Sequence, residues 1–286
     1  MRSDFVQQQN SVCDFSNSDS WVILSPIEQS IKRKIEAVGT PLKDWDIQIN
    51  YGIKTGYNDA FIISTEKRNE ILANCKTEDE RKRTDELIRP ILRGRDIKRY
   101  GYVDNGLYLI NTHNGIKGKI PRIDINEYPA VKAHLNQYWE QIATRADQGD
   151  TPYNLRNCAY LEDFYKPKII WGNLNLEGTY SYAPEGMFIN APSPFITTDN
   201  LAILHILNSK IADYYIRSLG VTRNGGYFEY KPMFVDKLPI PQDGLEELLS
   251  FSDQPSEKDE EEIVTIIYRL YGLTTQEVEY IENREF

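Results

Sequence analysis

Basic side chains are concentrated in the segment RPILRGRDIKRYGY, where Arg93, Arg95, Lys98 and Arg99 lie around Gly94. The planar fork of an arginine matches two phosphate oxygens, or the O6 and N7 atoms of guanine. These side chains therefore suit nucleic-acid binding. A basic surface turn explains the same composition, and the segment alone favours that simpler interpretation.

Amide and basic side chains recur at two later points. Asn173 and Asn175 follow the apolar run KIIWG, and Arg223 and Asn224 lie in the glycine-rich segment GVTRNGGYFEYK. Asparagine can hydrogen-bond the edge of adenine, but it also closes turns by bonding to nearby backbone. Base reading and ordinary turn chemistry both stay open for these residues.

A polar loop in YGIKTGYNDAFII carries a single lysine between two glycines. Gly52 and Gly56 would let backbone amides approach an anion. Lys54 is a point charge suited to phosphate, Thr55 adds a hydroxyl donor, and Asn58 could lock the turn through its own backbone. We expect a strand at residues 60–63 to anchor the loop. A purely structural turn explains the same residues.

A loose nuclease-like triplet is also present, because Asp85 lies eleven residues before Asp96-Ile97-Lys98. Two carboxylates and a lysine can hold Mg²⁺ and orient a water. The alternative is a solvated helix face followed by a charged turn. The sequence contains no glycine-rich phosphate-binding loop, no paired metal-binding histidines and no Asn-Pro-Pro-aromatic segment of the kind that holds a flipped adenine.

These segments are interleaved with helix and strand patterns. Ser25, Thr77 and Thr274 each begin a capping box, and apolar spacing predicts helices from residue 126 and over residues 201–219. Short apolar runs predict strands at 107–111, 168–172, 179–183 and 187–190. This mixed order predicts an α+β fold with a mixed β-sheet, peripheral helices and a C-terminal helical segment.

The net charge of −10 argues against a simple basic DNA-binding domain, but the charge is unevenly placed. Residues 243–286 hold 13 acidic and 3 basic residues, so residues 1–242 are neutral, with 30 of each sign. We expect the acidic region to pack away from any DNA cleft. Three widely spaced cysteines, no signal peptide and no long apolar run predict a cytoplasmic protein.

The order of the motifs resembles one known family. LKDWDIQINYGIKTGYNDAFII, IRPILRGRDIKRY, KIIWGNLN, NLAILHILNSKIADYYI, VDKLPIP and IYRLYGLTTQEVEYIE follow one another between residues 21 and 281. The chain resembles the C-terminal target-recognition region of type IIG restriction–modification enzymes and TaqI-like adenine-N6 DNA methyltransferases. The loop at 52–61 and the closing motif at 268–277 are its most specific parts. The LNSK and LPIP segments also look like specificity subunits of type I systems.

The resemblance implies that catalysis and sequence recognition belong to separate domains. In that family a catalytic domain flips an adenine and methylates it with S-adenosylmethionine, while the recognition domain reads bases in the major groove. We therefore expect a flexible segment at 1–20, a DNA target-recognition domain at 21–242 and an acidic helical segment at 243–286, without catalytic residues, metal or cofactor of its own. Double-stranded DNA and a methyltransferase domain or subunit outside this chain would be its partners, and endonuclease activity of the parent enzyme stays open. A stand-alone Mg-dependent nuclease and a specificity subunit docking onto separate methyltransferase chains are the alternatives.

The resemblance also suggests roles for individual residues. Backbone contacts are expected from Lys54, Thr55, Asn58, Lys98 and Arg99. Base contacts are expected from Arg93, Arg95, Asn173, Asn175, Arg223 and Asn224.

Overall fold

The computed structural model describes residues 24–284 and has the predicted α+β fold. Apolar residues at helical spacing, begun by serine, threonine or asparagine caps or by a first-turn proline, form most of its helices. The helices are α1 Pro26–Val38, α2 Asn58–Phe61, α3 Thr65–Ala73, α4 Glu78–Leu87, α5 Pro129–Asn136, α6 Trp139–Thr144, α7 Leu201–Leu207, α8 Lys210–Ser218, α9 Pro232–Val235, α10 Glu257–Leu270 and α11 Thr275–Glu282.

The strands are short and rich in β-branched and aromatic residues. They are β1 Gly39–Pro41, β2 Gln48–Tyr51, β3 Ile62–Ser64, β4 Ile88–Leu92, β5 Ile97–Lys98, β6 Gly101–Tyr102, β7 Leu107–Ile110, β8 Lys168–Trp171, β9 Leu174–Asn175, β10 Tyr180–Ala183, β11 Phe188–Ile189, β12 Pro194–Thr197, β13 Phe228–Glu229 and β14 Pro239–Pro241.

A central antiparallel sheet, ordered β10-β8-β12-β2, separates two apolar cores. Successive side chains of a strand point to opposite faces, so Ile169 and Trp171 of β8 enter one core while Ile170 enters the other. The strand is buried along its whole length because both faces are covered.

The first core lies under helices from both ends of the described chain. α1, α7, α8, α10 and α11 contribute its apolar residues, so the acidic C-terminal region packs in the same core as α1. Glu277 of α11 accepts hydrogen bonds from Lys34 Nζ and Ser30 Oγ of α1, each 2.7 Å long. Residues on both sides of position 242 therefore share one apolar core, and the domain boundary there stays a prediction.

The second core lies on the other face of the central sheet, beneath a mixed sheet ordered β11-β4-β7-β3. β11 runs parallel to β4, whereas the other pairs are antiparallel. The rings of Phe164 and Phe188 stack here with centroids 4.5 Å apart. The segments that carry Lys54 and Arg93 begin next to residues of this core, Ile53 and Leu92.

Local signals located several element boundaries. The predicted capping boxes at Ser25 and Thr274 are confirmed, with reciprocal bonds to Glu28 and Glu277. At Thr77 only half of the box forms: its hydroxyl accepts from the Glu80 amide, whereas the Glu80 carboxylate accepts from the amides of Lys76 and Ala130.

Other boundaries differ from expectation. The single helix predicted over 201–219 is two helices, because Ser209 leaves the helix and caps α8. The helix predicted from residue 126 begins at 129 and is likewise divided, into α5 and α6. The strand predicted at 60–63 is wrong in its first half, since one helical turn, α2, precedes β3. β4 and β12 were not predicted.

Other expectations concern membrane helices, cysteines and the N-terminal segment. No helix within residues 24–284 is long and apolar enough to cross a membrane. Cys75 and Cys158 are free thiols. The predicted flexible segment 1–20, with Cys13, lies outside the described residues.

Candidate nucleic-acid interface

A turn at residues 190–193, here called the proline turn, joins two of the predicted contact loops. It contains a cis bond between Ala191 and Pro192. The lysine loop, residues 52–58, is bound to this region through the backbone: the Gly52 amide donates to Ser193 O at 2.7 Å, and the Ala191 amide donates to Ile53 O at 2.9 Å. The Asn190 amide donates to Leu92 O at 2.9 Å, which attaches the end of β4 to the same turn.

The arginine loop, residues 93–96, meets the asparagine loop, residues 172–175, at two glycines. A Cβ added to Gly94 would lie 2.5 Å from Ser193 Oγ and 3.5 Å from Gly172 Cα, and one added to Gly172 would lie 3.0 Å from Gly94 O. A side chain at either position would require neighbouring atoms to shift. The arginine and asparagine loops therefore form one continuous surface with the proline turn.

The glycine loop, residues 220–226, extends that surface through strand pairing. β13 follows this loop and pairs antiparallel with β9 of the asparagine loop, with Phe228 opposite Asn175 and Glu229 opposite Leu174. The Tyr230 amide also donates to Asn173 O at 2.8 Å. All three segments predicted to read bases are thus neighbours in space, although 130 positions separate Arg93 from Arg223.

Lys54 lies at the open side of the lysine loop and pairs with an aspartate. Its Nζ is 2.9 Å from Asp147 Oδ2, and the side chain is 56% exposed. Asp147 also pairs with Arg156 at 3.2 Å. The hydrogen bond from Lys54 and the charges of both cations lower the pKa of Asp147. Lys54 and Asp147 border a concave cleft of about 540 Å³, which is also lined by Asn190–Pro192.

The rest of the lysine loop is held from inside. Thr55 is buried, and its hydroxyl donates to Asn58 Oδ1 at 2.6 Å. The Thr55 carbonyl accepts from Nε of the buried Arg145 at 3.0 Å. The expectation that Asn58 bonds to its own backbone is wrong, since it bonds to Thr55. The Gly52 amide donates to Ser193 O, so this amide is not one that could bind an anion.

The arginine loop contains one bonded and one projecting guanidinium. Arg93 forms a two-pronged contact with the buried Asp96, Nε to Oδ2 and Nη2 to Oδ1, each 2.9 Å. Burial alone would raise the pKa of Asp96, but the Arg93 side-chain and backbone hydrogen bonds lower it. Arg95 is exposed and donates no side-chain hydrogen bond to the described residues. Arg95 is therefore the arginine that faces solvent.

The nuclease-like triplet is not assembled. Asp96 is occupied by Arg93 and by Asn105 Nδ2 at 3.0 Å. Asp85 lies on α4 and pairs with Arg68. No cluster of three or more His, Cys, Asp or Glu side chains suited to a metal occurs within residues 24–284.

Lys98 and Arg99 continue the basic segment toward the acidic C-terminal helices. Lys98 Nζ donates to Arg95 O at 3.0 Å, which ties it to the arginine loop. Arg99 donates to Glu260 Oε2 of α10 from Nε and Nη2, at 3.1 and 2.6 Å, and to the Asn208 carbonyl. The acidic region thus contacts one predicted contact residue, Arg99, and its placement away from a DNA cleft stays a prediction.

The asparagine and glycine loops show a similar division. Asn175 Nδ2 donates to Gly172 O at 3.3 Å and closes its own turn, while Asn173 is half-buried. Arg223 is 60% exposed and pairs with Glu229 at 2.8 Å. Asn224 is exposed at the start of a single 3₁₀ turn.

Sequence reasoning missed Asp147, Arg156, Leu174 and Leu176. The two charged residues approach Lys54 only through tertiary contact. Both leucines are exposed in the folded chain, which their apolar type does not indicate.

Comparisons with known proteins identify the family of this chain. The model of the TaqI-like C-terminal specificity domain matches residues 89–240. The type II methyltransferase M.PaeR7I of Pseudomonas aeruginosa is 20% identical over 271 residues, which covers 92% of this chain and 44% of that protein. This chain thus spans less than half the length of that relative.

Two solved structures were compared with the fold. The type IIL restriction-modification enzyme MmeI, solved in complex with DNA, matches with a TM-score of 0.57 and 14% identity, over 85% of this chain and 35% of MmeI. The type IIG restriction endonuclease BpuSI gives a TM-score of 0.45 at 13% identity, over 86% of this chain and 32% of its own, and this value is too low to support an argument about the fold.

Proposed function

The chain belongs to the family of TaqI-like C-terminal specificity domains, and from this premise we propose that it binds double-stranded DNA and selects the sequence on which a restriction–modification enzyme acts. One observation carries the proposal beyond the family match. The arginine, asparagine and glycine loops are far apart in sequence, yet they form one surface beside the lysine loop.

Two kinds of contact are proposed for this surface. Lys54 and Lys98 are exposed lysines suited to phosphate oxygens, which fix position without reading sequence. Arg95, Arg223 and Asn224 are exposed side chains suited to base edges. These proposed base readers lie on neighbouring loops, so one stretch of groove could reach all of them.

The remaining predicted residues are assigned supporting roles. Arg93, Thr55 and Asn175 hold their loops by the hydrogen bonds given above. Asn58 receives the Thr55 hydroxyl, and Asn173 provides a backbone acceptor for Tyr230. Arg99 anchors α10 through Glu260.

Catalysis is proposed to belong to a methyltransferase domain or subunit that works with this chain. That part would bind S-adenosylmethionine, flip an adenine and transfer the methyl group to it. The surface described here would contribute by holding the DNA in a fixed register. No residue among 24–284 is assigned a catalytic role in this proposal.

Binding to a pool of randomised duplexes at two salt concentrations tests the function. We expect enrichment of a motif of a few base pairs and an affinity that falls as salt rises, because phosphate contacts release counterions. Folded protein that enriches no motif at either salt concentration would contradict the proposal.

A further inference from the structure

The two-stranded ribbon formed by β9 and β13 presents different side chains on its two faces. Glu229 lies opposite Leu174 and Phe228 opposite Asn175, and directly paired residues share a face. Phe228 is buried and Asn175 lies over Gly172, so this face is turned toward the protein. The opposite face carries Leu174 and Glu229 and continues to Leu176 and Tyr227.

This outer face exposes apolar side chains to an unusual degree. Leu174 is 50% exposed, Leu176 is 55% exposed and Tyr227 is 43% exposed. Single exposed leucines are normal on protein surfaces. Here three apolar side chains project from one short ribbon that also adjoins Arg223 and the arginine loop.

The ribbon is held firmly from beneath. The buried Arg217 donates from Nη2 to both Leu176 O, at 3.1 Å, and Gly226 O, at 2.9 Å, so one guanidinium joins the segment that follows β9 to the segment that precedes β13. Trp171 Nε1 donates to Tyr230 O at 2.7 Å just beyond β13. Leucines on a braced element lose little freedom on binding, which favours a recognition role.

We propose that the outer face of the β9–β13 ribbon enters the DNA major groove, where Leu174 and Leu176 contact the C5-methyl groups of thymines. This inference rests on the proposed function and names two specificity-determining residues for it. A two-stranded ribbon fits the width of the major groove, and thymine is the base that presents a methyl group there. Asn175, which faces the protein, then has no part in base reading.

The charged surroundings of the ribbon and its continuity with the arginine loop favour DNA over an apolar protein surface as the occupant. Glu229 is the acidic residue of the ribbon, and it is paired with both Arg223 and Lys231, at 2.8 and 2.5 Å. This group of three side chains carries one net positive charge, and the exposed Glu177 follows Leu176. The cores of protein–protein interfaces are instead depleted of charged residues.

The test compares three proteins in duplex selection and thymine-to-uracil substitution. They are the full wild-type chain, the double variant Leu174→Ala/Leu176→Ala, and Leu249→Ala. Leu249 is a matched control, since it is 49% exposed and lies in a 3₁₀ turn of the C-terminal region. Thermal unfolding of all three proteins confirms that they are folded. Each thymine of the wild-type motif is then replaced by deoxyuridine, which removes only the methyl group.

We expect at least one thymine whose replacement weakens binding by wild type and Leu249→Ala about fourfold, the value for one buried methyl-sized group. The double variant should bind both duplexes equally. A motif without thymine, or equal uracil sensitivity in all three proteins, overturns the inference and leaves the proposed function intact. A wild-type chain that enriches no motif contradicts the proposed function itself.

Discussion

Replacing Gly52 with alanine tests whether close backbone packing holds the lysine loop. A Cβ at this position would lie 2.4 Å from Ile189 O, 2.7 Å from Asn190 C and 2.8 Å from Ala191 N. All three are backbone atoms just before or within the proline turn, so no flexible side chain can move aside. Gly52 has no positive φ, and the effect is therefore one of space rather than of backbone conformation.

The expected cost combines two opposing effects. Forcing an extra methyl group into a packed site costs about 1 to 3 kcal/mol. A Gly→Ala change also reduces the conformational entropy of the unfolded chain, which stabilises the folded state by roughly 0.4 to 1 kcal/mol. Because only backbone can yield, we expect the upper part of the first range and a net loss of about 2 kcal/mol. For a chain of this size that loss lowers Tm by roughly 4 to 8 °C.

Gly101→Ala is the matched control. A Cβ there meets no atom within 4 Å, and its φ is also not positive. We expect this variant to unfold within about 1 to 2 °C of wild type, since unconstrained surface changes stay within roughly 0.5 kcal/mol. Both variants are measured by thermal unfolding under the same conditions. Equal Tm values for Gly52→Ala and Gly101→Ala would refute the packing argument.

Three further predictions follow from the ion pairs. Burial alone would raise the pKa of Glu277, but hydrogen bonds from Lys34, the Thr274 amide and Ser30 lower it to about 2. Glu277→Gln should therefore reduce the free energy of unfolding at pH 7 by about 2 to 3 kcal/mol. Its depressed folded pKa stabilises the protein above the ordinary value of 4.5, so the Tm difference from wild type should shrink as pH falls from 4.5 toward 2. Lys54→Ala should weaken DNA binding by a similar factor on all sequences. It should also reduce the slope of log affinity against log salt concentration by about 1, measured by titration of one duplex at several salt concentrations. Arg99→Ala should leave that slope unchanged, and a double-mutant cycle with Glu260→Ala should give a coupling of about 0.2 to 1 kcal/mol, because the pair is partly exposed.

Local capping signals could be read from the sequence because both partners lie three residues apart. Ser25 with Glu28 shows the confirmed case. The same pattern at Thr77 failed for a tertiary reason. The Glu80 carboxylate bonds to the Ala130 amide, fifty positions away, and this attaches the start of α5 to α4.

The composition of the interface was partly predictable, but its arrangement was not. Segments with exposed Arg95, Arg223 and Asn224 were identified from residue type. Their contiguity depends on the approach of Gly94 to Gly172, which no local pattern contains. The roles of Asn175 and its neighbours also depend on register, because a shift of one residue in a strand exchanges its two faces.

Specificity can change in this fold at residues that carry little of its stability. Three such residues are Arg95, Asn224 and Leu174, which project outward and make no side-chain hydrogen bonds to the described residues. Replacing any of them should change the free energy of unfolding by less than about 0.5 kcal/mol. Arg93 looks equally suited to base reading, yet its removal would leave the buried carboxylate of Asp96 without its paired cation. Because the Arg93 side chain is 29% exposed, the cost should lie below the roughly 3 to 5 kcal/mol of a fully buried pair. Substitutions at the projecting residues can therefore change the target sequence at little cost in stability. Arg93 is needed to keep the arginine loop in place.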